Sequence, residues 1–187
     1  MTKSTRKFSF DALKHGKLGV SEIYGSFLAE AASYCLYFKT HPNPVVLSLT
    51  GDVLSNGTLG WDEITETHRK TYADIQEATE YGACGIAIII AVQLTGLPRV
   101  ERSVKGTGVD YWLNADLDED GIFQRAARLE VSGILDGDET KIVTRLNQKK
   151  LQTERTDKTS LPAYVAIVEF GSHEARLVKR SVEEKRP

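Results

Sequence analysis

The chain has 187 residues, of which 41% are hydrophobic and 27% are charged, and its formal net charge is −2. This composition is typical of one globular domain, and the net charge lacks the basic excess of a protein that coats nucleic acid. Two distant cysteines and a polar first segment argue against a disulfide framework and a signal peptide, so we expect a cytoplasmic protein.

The first 60 residues are predicted to form an N-terminal helical extension of a single domain, residues 1–187, whose core is residues 61–187. Apolar residues at helical spacing after the N-cap candidate Ser21 predict an amphipathic helix that ends before Pro42. A strand is predicted at 45–49, followed by a glycine-rich loop. The aromatic side chains of the helix suit either the core or the surface of a homodimer.

A long helix is predicted to begin near Trp61 and to end at the glycine and proline of residues 96–98. It carries two acids one turn apart, Glu77 and Glu80. Beyond Gly82 the apolar residues occur on all sides, which predicts full burial. This apolar run, residues 83–94, is shorter than the ~20 residues that span a membrane, so we expect no membrane contact.

Two of the next three predicted strands each contain one acid. The strands cover residues 99–104, 109–113 and 124–134, and they carry Asp110 and Glu130. Such residues are seldom buried unless they are paired or bind a metal. Two carboxylates from neighbouring strands, with a third from a helix, form an oxygen site that suits Mg²⁺. The alternative is that both acids simply face solvent.

A cationic helix is predicted from Asp138 or Thr140 to about Thr153, before a hairpin at residues 163–180. Spacings of four, three and four place several polar residues on one helix face. This candidate nucleic-acid surface consists of Lys141, Arg145, Gln148 and Gln152. The same pattern also suits a face that is merely solvated. The predicted fold class is α/β (α+β), with a mixed central sheet flanked by helices.

Two shorter motifs have simple structural explanations. Asp116-x-Asp118-x-Asp120-Gly matches the first half of a calcium loop, but the twelfth position is Ala127, which favours a solvated turn. The glycines of Gly106-Thr-Gly108 lack a third glycine and a following helix, so they do not predict a dinucleotide site. They predict a tight bend or bulge that aims Asp110.

The order of these elements resembles the PD-(D/E)xK restriction-endonuclease-like superfamily over about residues 62–180. The matching positions are Glu80 on a helix, Asp110 after Gly-Thr-Gly-Val, and Glu130-x-Ser132 on the next strand. The resemblance implies that Asp110 and Glu130 bind Mg²⁺ or Mn²⁺, supported by Glu80 or, alternatively, by Glu77. It also implies a nuclease that acts on DNA, possible roles in restriction or phage defence, and a possible protein partner within a larger complex.

Ser132 departs from this pattern, because the family has a lysine there that stabilises developing negative charge. One explanation is that the cation has moved to a neighbouring element, and Lys149 is then the catalytic candidate and a further nucleic-acid contact. Other available lysines are Lys105, Lys141 and Lys150. The other explanation is a catalytically silent protein of the same fold that binds nucleic acid or a partner protein. A small-molecule enzyme unrelated to nucleases is a third hypothesis.

Overall fold

The computed structural model of the chain describes residues 6–115 and 124–180. The helices in these ranges are α1 (Asp11–Lys14), α2 (Glu22–Phe38), α3 (Glu66–Thr71), α4 (Ile75–Thr95), α5 (Glu139–Gln152) and a 3₁₀ segment (Thr153–Thr159). The strands are β1 (Arg6–Phe8), β2 (Val45–Gly51), β3 (Ser55–Leu59), β4 (Arg99–Arg102), β5 (Tyr111–Asn114), β6 (Arg125–Ile134), β7 (Ala163–Glu169) and β8 (Glu174–Arg180). The acidic motif of residues 116–121 lies outside the described residues.

The eight strands form one mixed sheet in the order β1-β3-β2-β8-β7-β6-β5-β4. The pairs β1–β3, β2–β8 and β6–β7 are parallel, and the remaining neighbours are antiparallel. Helix α4 packs on β6 and β7, α2 packs on α4, and α5 also contacts β6 and β7. The predicted class, a mixed sheet flanked by helices, is therefore confirmed.

The predicted N-terminal helical extension needs correction, because residues 6–59 contribute three strands to the central sheet, of which only the one at 45–49 was predicted. The segment expected to be a loop contains β3, whose Gly57 pairs with Leu47 of β2 and with Arg6 of β1. Glycine is required here, since a Cβ at position 57 would lie 2.1 Å from the ring of Phe8. The glycine that usually predicts a turn is used here for close packing of a strand against an aromatic side chain.

The long helix begins at Ile75 and not near Trp61. The side chain of Asp74 caps its N-terminus by accepting hydrogen bonds from the amides of Gln76 (3.0 Å) and Glu77 (3.2 Å). The predicted first turns instead contain the short helix α3, which ends before this cap. The amides of the first turn of a helix lack partners within the helix, and the side chain of Asp74 provides one. This local interaction starts a new helix at Ile75 and interrupts the longer helix that the spacing of apolar residues suggested.

Helix α4 lies unusually close to the elements on either side of it. A Cβ at Gly85 would lie 2.8 Å from the carbonyl oxygen of Leu28 in α2, and a Cβ at Gly133 of β6 would lie 2.4 Å from that of Thr79. By length and hydropathy, α4 could cross a membrane, but 61% of its apolar window is buried within the protein. This burial is what a core helix shared by α2 and the sheet requires.

Helix α5 is the crossover between the parallel strands β6 and β7, and Asp138 caps it, as predicted, by accepting from the amide of Lys141 at 2.9 Å. Alternate residues of β6 face α5, because successive side chains of a strand point to opposite faces. Their partners run in reverse order along α5 and the residue that follows it: Arg128 meets Thr153, Glu130 meets Lys149, Ser132 meets Arg145, and Ile134 packs with Ile142.

The bend before β5 is held against the end of α5. Gly108 has φ +79°, and a Cβ there would lie 2.2 Å from the carbonyl oxygen of Gln152. The predicted role of this glycine pair as a tight bend before Asp110 agrees with the geometry. The contact fixes the loop that carries Asp110 relative to the helix that carries Lys149.

We expect Gly108→Ala to lower the free energy of unfolding by several kcal/mol, because it adds a backbone clash to the ~1–2 kcal/mol of a left-handed conformation. The matched control is Gly96→Ala, which has φ +73° and no atom within 4 Å of the added Cβ. Denaturant unfolding of the two variants separates the clash from the conformational strain. Equal losses of stability would show that Gly108 makes no essential contact with α5.

Candidate metal and nucleic-acid site

Glu130 lies in the middle of β6 and is buried, with 1% of its side chain exposed. Its Oε1 accepts a hydrogen bond from Lys149 Nζ at 2.6 Å. Its Oε2 is equally buried and has no hydrogen-bond partner within the described part of the protein. A buried carboxylate oxygen without a donor is costly, so this atom is available to a cation.

Asp110 immediately precedes β5, one residue before the strand in which it was predicted to lie. Its Oδ2 accepts from the amide of Val131 at 2.9 Å, so the side chain substitutes for a strand partner at this point of β6. Its Oδ1 lies 3.7 Å from Arg102 Nη1, beyond hydrogen-bonding distance. Asp110 and Glu130 therefore each commit one oxygen to a protein donor and leave the other free of a close donor.

The charge of Asp110 acts on the carboxyl group of Glu130. Burial and the nearby charge of Asp110 together raise the pKa of Glu130 to about 7, against the opposing effect of Lys149. Two acids crowded together repel each other when both are ionised. A cation placed between them would relieve this repulsion.

The pair fits the way in which Mg²⁺ is usually held, by one or two carboxylates with water and phosphate as the other ligands. Glu80 is exposed and lines the same cleft, whereas its alternative Glu77 is exposed one turn earlier on α4. Within residues 6–115 and 124–180, no cluster of three or more His, Cys, Asp or Glu side chains forms a ready-made metal site. Asp110 and Glu130 would thus hold the metal, with Glu80 at the edge of the cleft.

The cations predicted to replace the family lysine occupy different positions. Lys149 contacts Glu130 directly, and Lys105 lines the cleft beside it. Lys141 lies away from the carboxylates and donates to the carbonyl oxygen of Asp136 at 2.6 Å. Ser132 itself accepts a hydrogen bond from Arg145 Nη1 at 3.0 Å, so an arginine stands next to the position of the missing lysine.

The carboxylates lie in a groove made of two adjoining clefts of about 440 and 540 Å³, which share Arg102, Lys105 and Asp110. Five cations and three acids line this groove among the described residues. The cations are Arg102, Lys105, Arg145, Lys149 and Arg155, and the acids are Glu80, Asp110 and Glu130. A surplus of positive charge around the acids suits a phosphate backbone that passes over them.

Only part of the predicted helix surface faces this groove. Arg145, Lys149 and Gln152 line it, and Lys149 Nζ lies 3.4 Å from Gln152 Oε1. Lys141 and Gln148 are exposed, and Lys141 makes the contact with Asp136 described above. The candidate nucleic-acid contacts of the groove are therefore concentrated in the second half of α5.

Two groove cations were not among the predicted site residues. Arg102 ends β4, where it pairs with Tyr111 in register and its guanidinium lies 4.8 Å from the centre of that ring. The predicted bend at Gly106–Gly108 would have indicated this pairing across a hairpin. Arg155 lies in the 3₁₀ segment, just beyond the helix predicted to end at about Thr153.

Cys84 also lines the cleft, but it is not a nucleophile. Burial raises the pKa of its thiol to about 12, and the nearby negative charge of Asp110 acts in the same direction. A thiol protonated at neutral pH does not attack a phosphodiester or bind a divalent metal as thiolate. The chemistry of this site therefore depends on its oxygen and nitrogen groups.

Comparisons with protein-family models, with curated proteins and with solved structures find no match to this chain.

We expect Mg²⁺ or Mn²⁺ to stabilise the wild-type protein, by about 2.7 kcal/mol when the metal is at 100 times its Kd. Asp110→Asn should abolish most of this gain, because asparagine keeps an acceptor for the Val131 amide but loses the charge. Without metal, the same variant should be more stable than wild type, since the repulsion of Glu130 is removed. Thermal unfolding with and without metal measures both effects.

Glu80→Gln should weaken metal-dependent stabilisation less than Asp110→Asn does, because Glu80 lies at the exposed edge of the cleft. Glu77→Gln is the matched control on the same helix and should leave the metal response unchanged. A metal response of equal size in wild type and Asp110→Asn would rule out the carboxylate pair as the metal site.

Proposed function

We propose that this chain is a metal-dependent nuclease, or a nuclease-like subunit, that acts on DNA phosphodiesters. The observation that carries the proposal is the Asp110–Glu130 pair, which has a buried carboxylate oxygen without a donor and lies in a groove lined by five cations. Its arrangement also supports the resemblance to the PD-(D/E)xK superfamily, in which a pair of acids on adjacent strands holds the metal.

The proposed reaction is hydrolysis. The oxygen of a water molecule forms a bond to phosphorus, a bond from phosphorus to a bridging oxygen breaks, and that oxygen leaves with the electron pair and takes up a proton. Bound between Asp110 and Glu130, Mg²⁺ or Mn²⁺ would supply a Lewis acid that polarises the phosphate and lowers the pKa of water.

The side chains of the groove have separate roles in this proposal. Lys149 lies 2.6 Å from Glu130 and favours the ionised carboxylate that a metal needs. Glu80 lies where it can accept a proton from water or hold a water molecule at the metal. Lys105 and Arg155, which are exposed and line the same cleft, bind the neighbouring phosphates.

A second candidate function is a catalytically silent protein of this fold that binds nucleic acid or a partner protein in a larger complex. The contact between Lys149 and Glu130 favours it, because an ammonium already neutralises the acid without a metal. Ser132 favours it as well, since a hydroxyl carries no charge to stabilise a transition state. Both candidates use the same groove, and only the chemistry distinguishes them.

The biological setting is proposed from the same resemblance. A cytoplasmic nuclease of this kind suits restriction or phage defence, where it acts on DNA alone, as a homodimer, or with a protein partner. The largely buried apolar helix α4 is in keeping with a location in an aqueous compartment.

We expect the purified protein to cleave DNA in Mg²⁺ or Mn²⁺ and to stop when a chelator is added. Asp110→Asn should reduce the rate by at least about 10³-fold, because no neighbouring group replaces a lost metal ligand. Gel analysis of supercoiled and linear DNA, in the presence of any native partner protein, measures the rate. Glu77→Gln is the control and should cleave at the wild-type rate.

The nuclease hypothesis would be contradicted if the wild-type protein bound DNA as tightly as Asp110→Asn but cleaved none of it with either metal and its partner present. Such a result would support the silent binding protein. Binding by neither variant, under conditions in which both are folded, would contradict the nuclease and would limit the silent candidate to a protein that binds a partner protein.

Lys105→Ala combined with Arg155→Ala should weaken DNA binding and reduce its dependence on salt. Each lost phosphate contact lowers the slope of log K against log[salt] by about 0.9 for duplex DNA, so the double variant should lose up to about 2. The control is Lys70→Ala combined with Lys158→Ala, which removes two exposed lysines from outside the groove. Binding titrations at several salt concentrations measure this slope. An equal change of the slope in both double variants would exclude the groove as the DNA-binding surface.

A further inference from the structure

Arg145 and Lys149 face the same groove but differ in how much of their charge is already neutralised. Lys149 is paired with the carboxylate of Glu130. Arg145 donates to the hydroxyl of Ser132, which is neutral, and no carboxylate forms an ion pair with it in the described part of the chain. The charge of the guanidinium is therefore free for a ligand, whereas that of the ammonium is committed.

The position of Arg145 is set by the sheet. Ser132 is 7% exposed and lies two residues after Glu130 on the same face of β6, so its hydroxyl is fixed next to the carboxylate pair. The hydrogen bond of 3.0 Å to this hydroxyl uses one donor of Arg145, and a guanidinium has five. The others remain for an anion in the cleft that Arg145 lines together with Asp110 and Lys149.

We propose that Arg145 is a catalytic residue that binds the phosphate undergoing cleavage, and that Ser132 is the positioning residue that holds it there. The inference rests on the proposed nuclease function and assigns the charge-stabilising role to an arginine in place of a lysine. Arginine suits this role because its planar fork binds two phosphate oxygens and stays charged at all physiological pH values. A hydroxyl group is then what the arginine requires at this position of the strand.

The test compares Arg145→Ala and Arg145→Lys with wild type in single-turnover cleavage and in DNA binding with Ca²⁺. Arg145→Ala should lower the cleavage rate at saturating DNA by about 10²-fold or more, while the Kd for DNA rises less than tenfold. Arg145→Lys should recover part of the rate, because it restores the charge but not the two-point contact. Arg155→Ala is the comparison within the groove and should change the Kd more than the rate.

The positioning role of Ser132 is tested by comparing the cleavage rate at saturating DNA with the Kd for DNA. Ser132→Ala should lower the rate about tenfold with little change in Kd, and Ser132→Thr, which keeps the hydroxyl, should restore it. Thermal unfolding of each variant confirms that the fold is intact. If Arg145→Ala does not fold, Ser132→Ala and Arg145→Lys decide the question.

Different results would overturn the role of Arg145 and the proposed nuclease function. An active wild type with Arg145→Ala or Ser132→Ala cleaving at the same rate would overturn the role of these residues and leave the nuclease function standing. A wild type that cleaves no DNA with either metal would overturn the nuclease function, and the role of Arg145 with it.

Discussion

The register between α5 and β6 is the constraint on which the candidate site depends. Each successive residue of β6 that faces the helix meets a partner about one turn further back, from Arg128 at Thr153, just past the end of α5, to Ile134 at Ile142. The two ends of this series are held by a buried arginine and by apolar packing. The polar contacts between them, Glu130 with Lys149 and Ser132 with Arg145, follow from that alignment. A shift by one turn of helix would remove both contacts together.

The sequence was sufficient for the elements whose signals are local. The serine cap of α2, the aspartate cap of α5 and the hairpin of β7 and β8 were all predicted, because caps, alternation and turn residues act within a few residues. The strand β3 was not predicted, since its glycine is chosen for contact with Phe8 and not for a turn. The first turn of α4 was misplaced because Asp74 competes for its amides.

The candidate site was predictable in its acids and less so in its cations. Asp110 and Glu130 stood out because charged residues inside apolar strands need a reason to be there. Which lysine of α5 lies beside the acids depends on how a helix lies across a sheet, and residue spacing within the helix does not contain that information. Lys141 and Lys149 were both candidates on the basis of the helix sequence alone. In the fold, Lys141 contacts Asp136 and Lys149 contacts Glu130, because of the way α5 packs on the sheet.

The parallel pairing of β2 with β8 affects how the chain assembles. Thr50 and Glu174, which are hydrogen-bonded at 2.6 Å, are 124 residues apart in sequence. The strands β1, β2 and β3 are therefore synthesised well before β8, and the edge of β2 that pairs with β8 lacks this partner until β8 has been made. Such distant contacts slow folding and leave an unpaired strand edge exposed to other chains. We therefore expect newly synthesised protein to aggregate through the open edge of β2 unless that edge is shielded until β8 pairs with it.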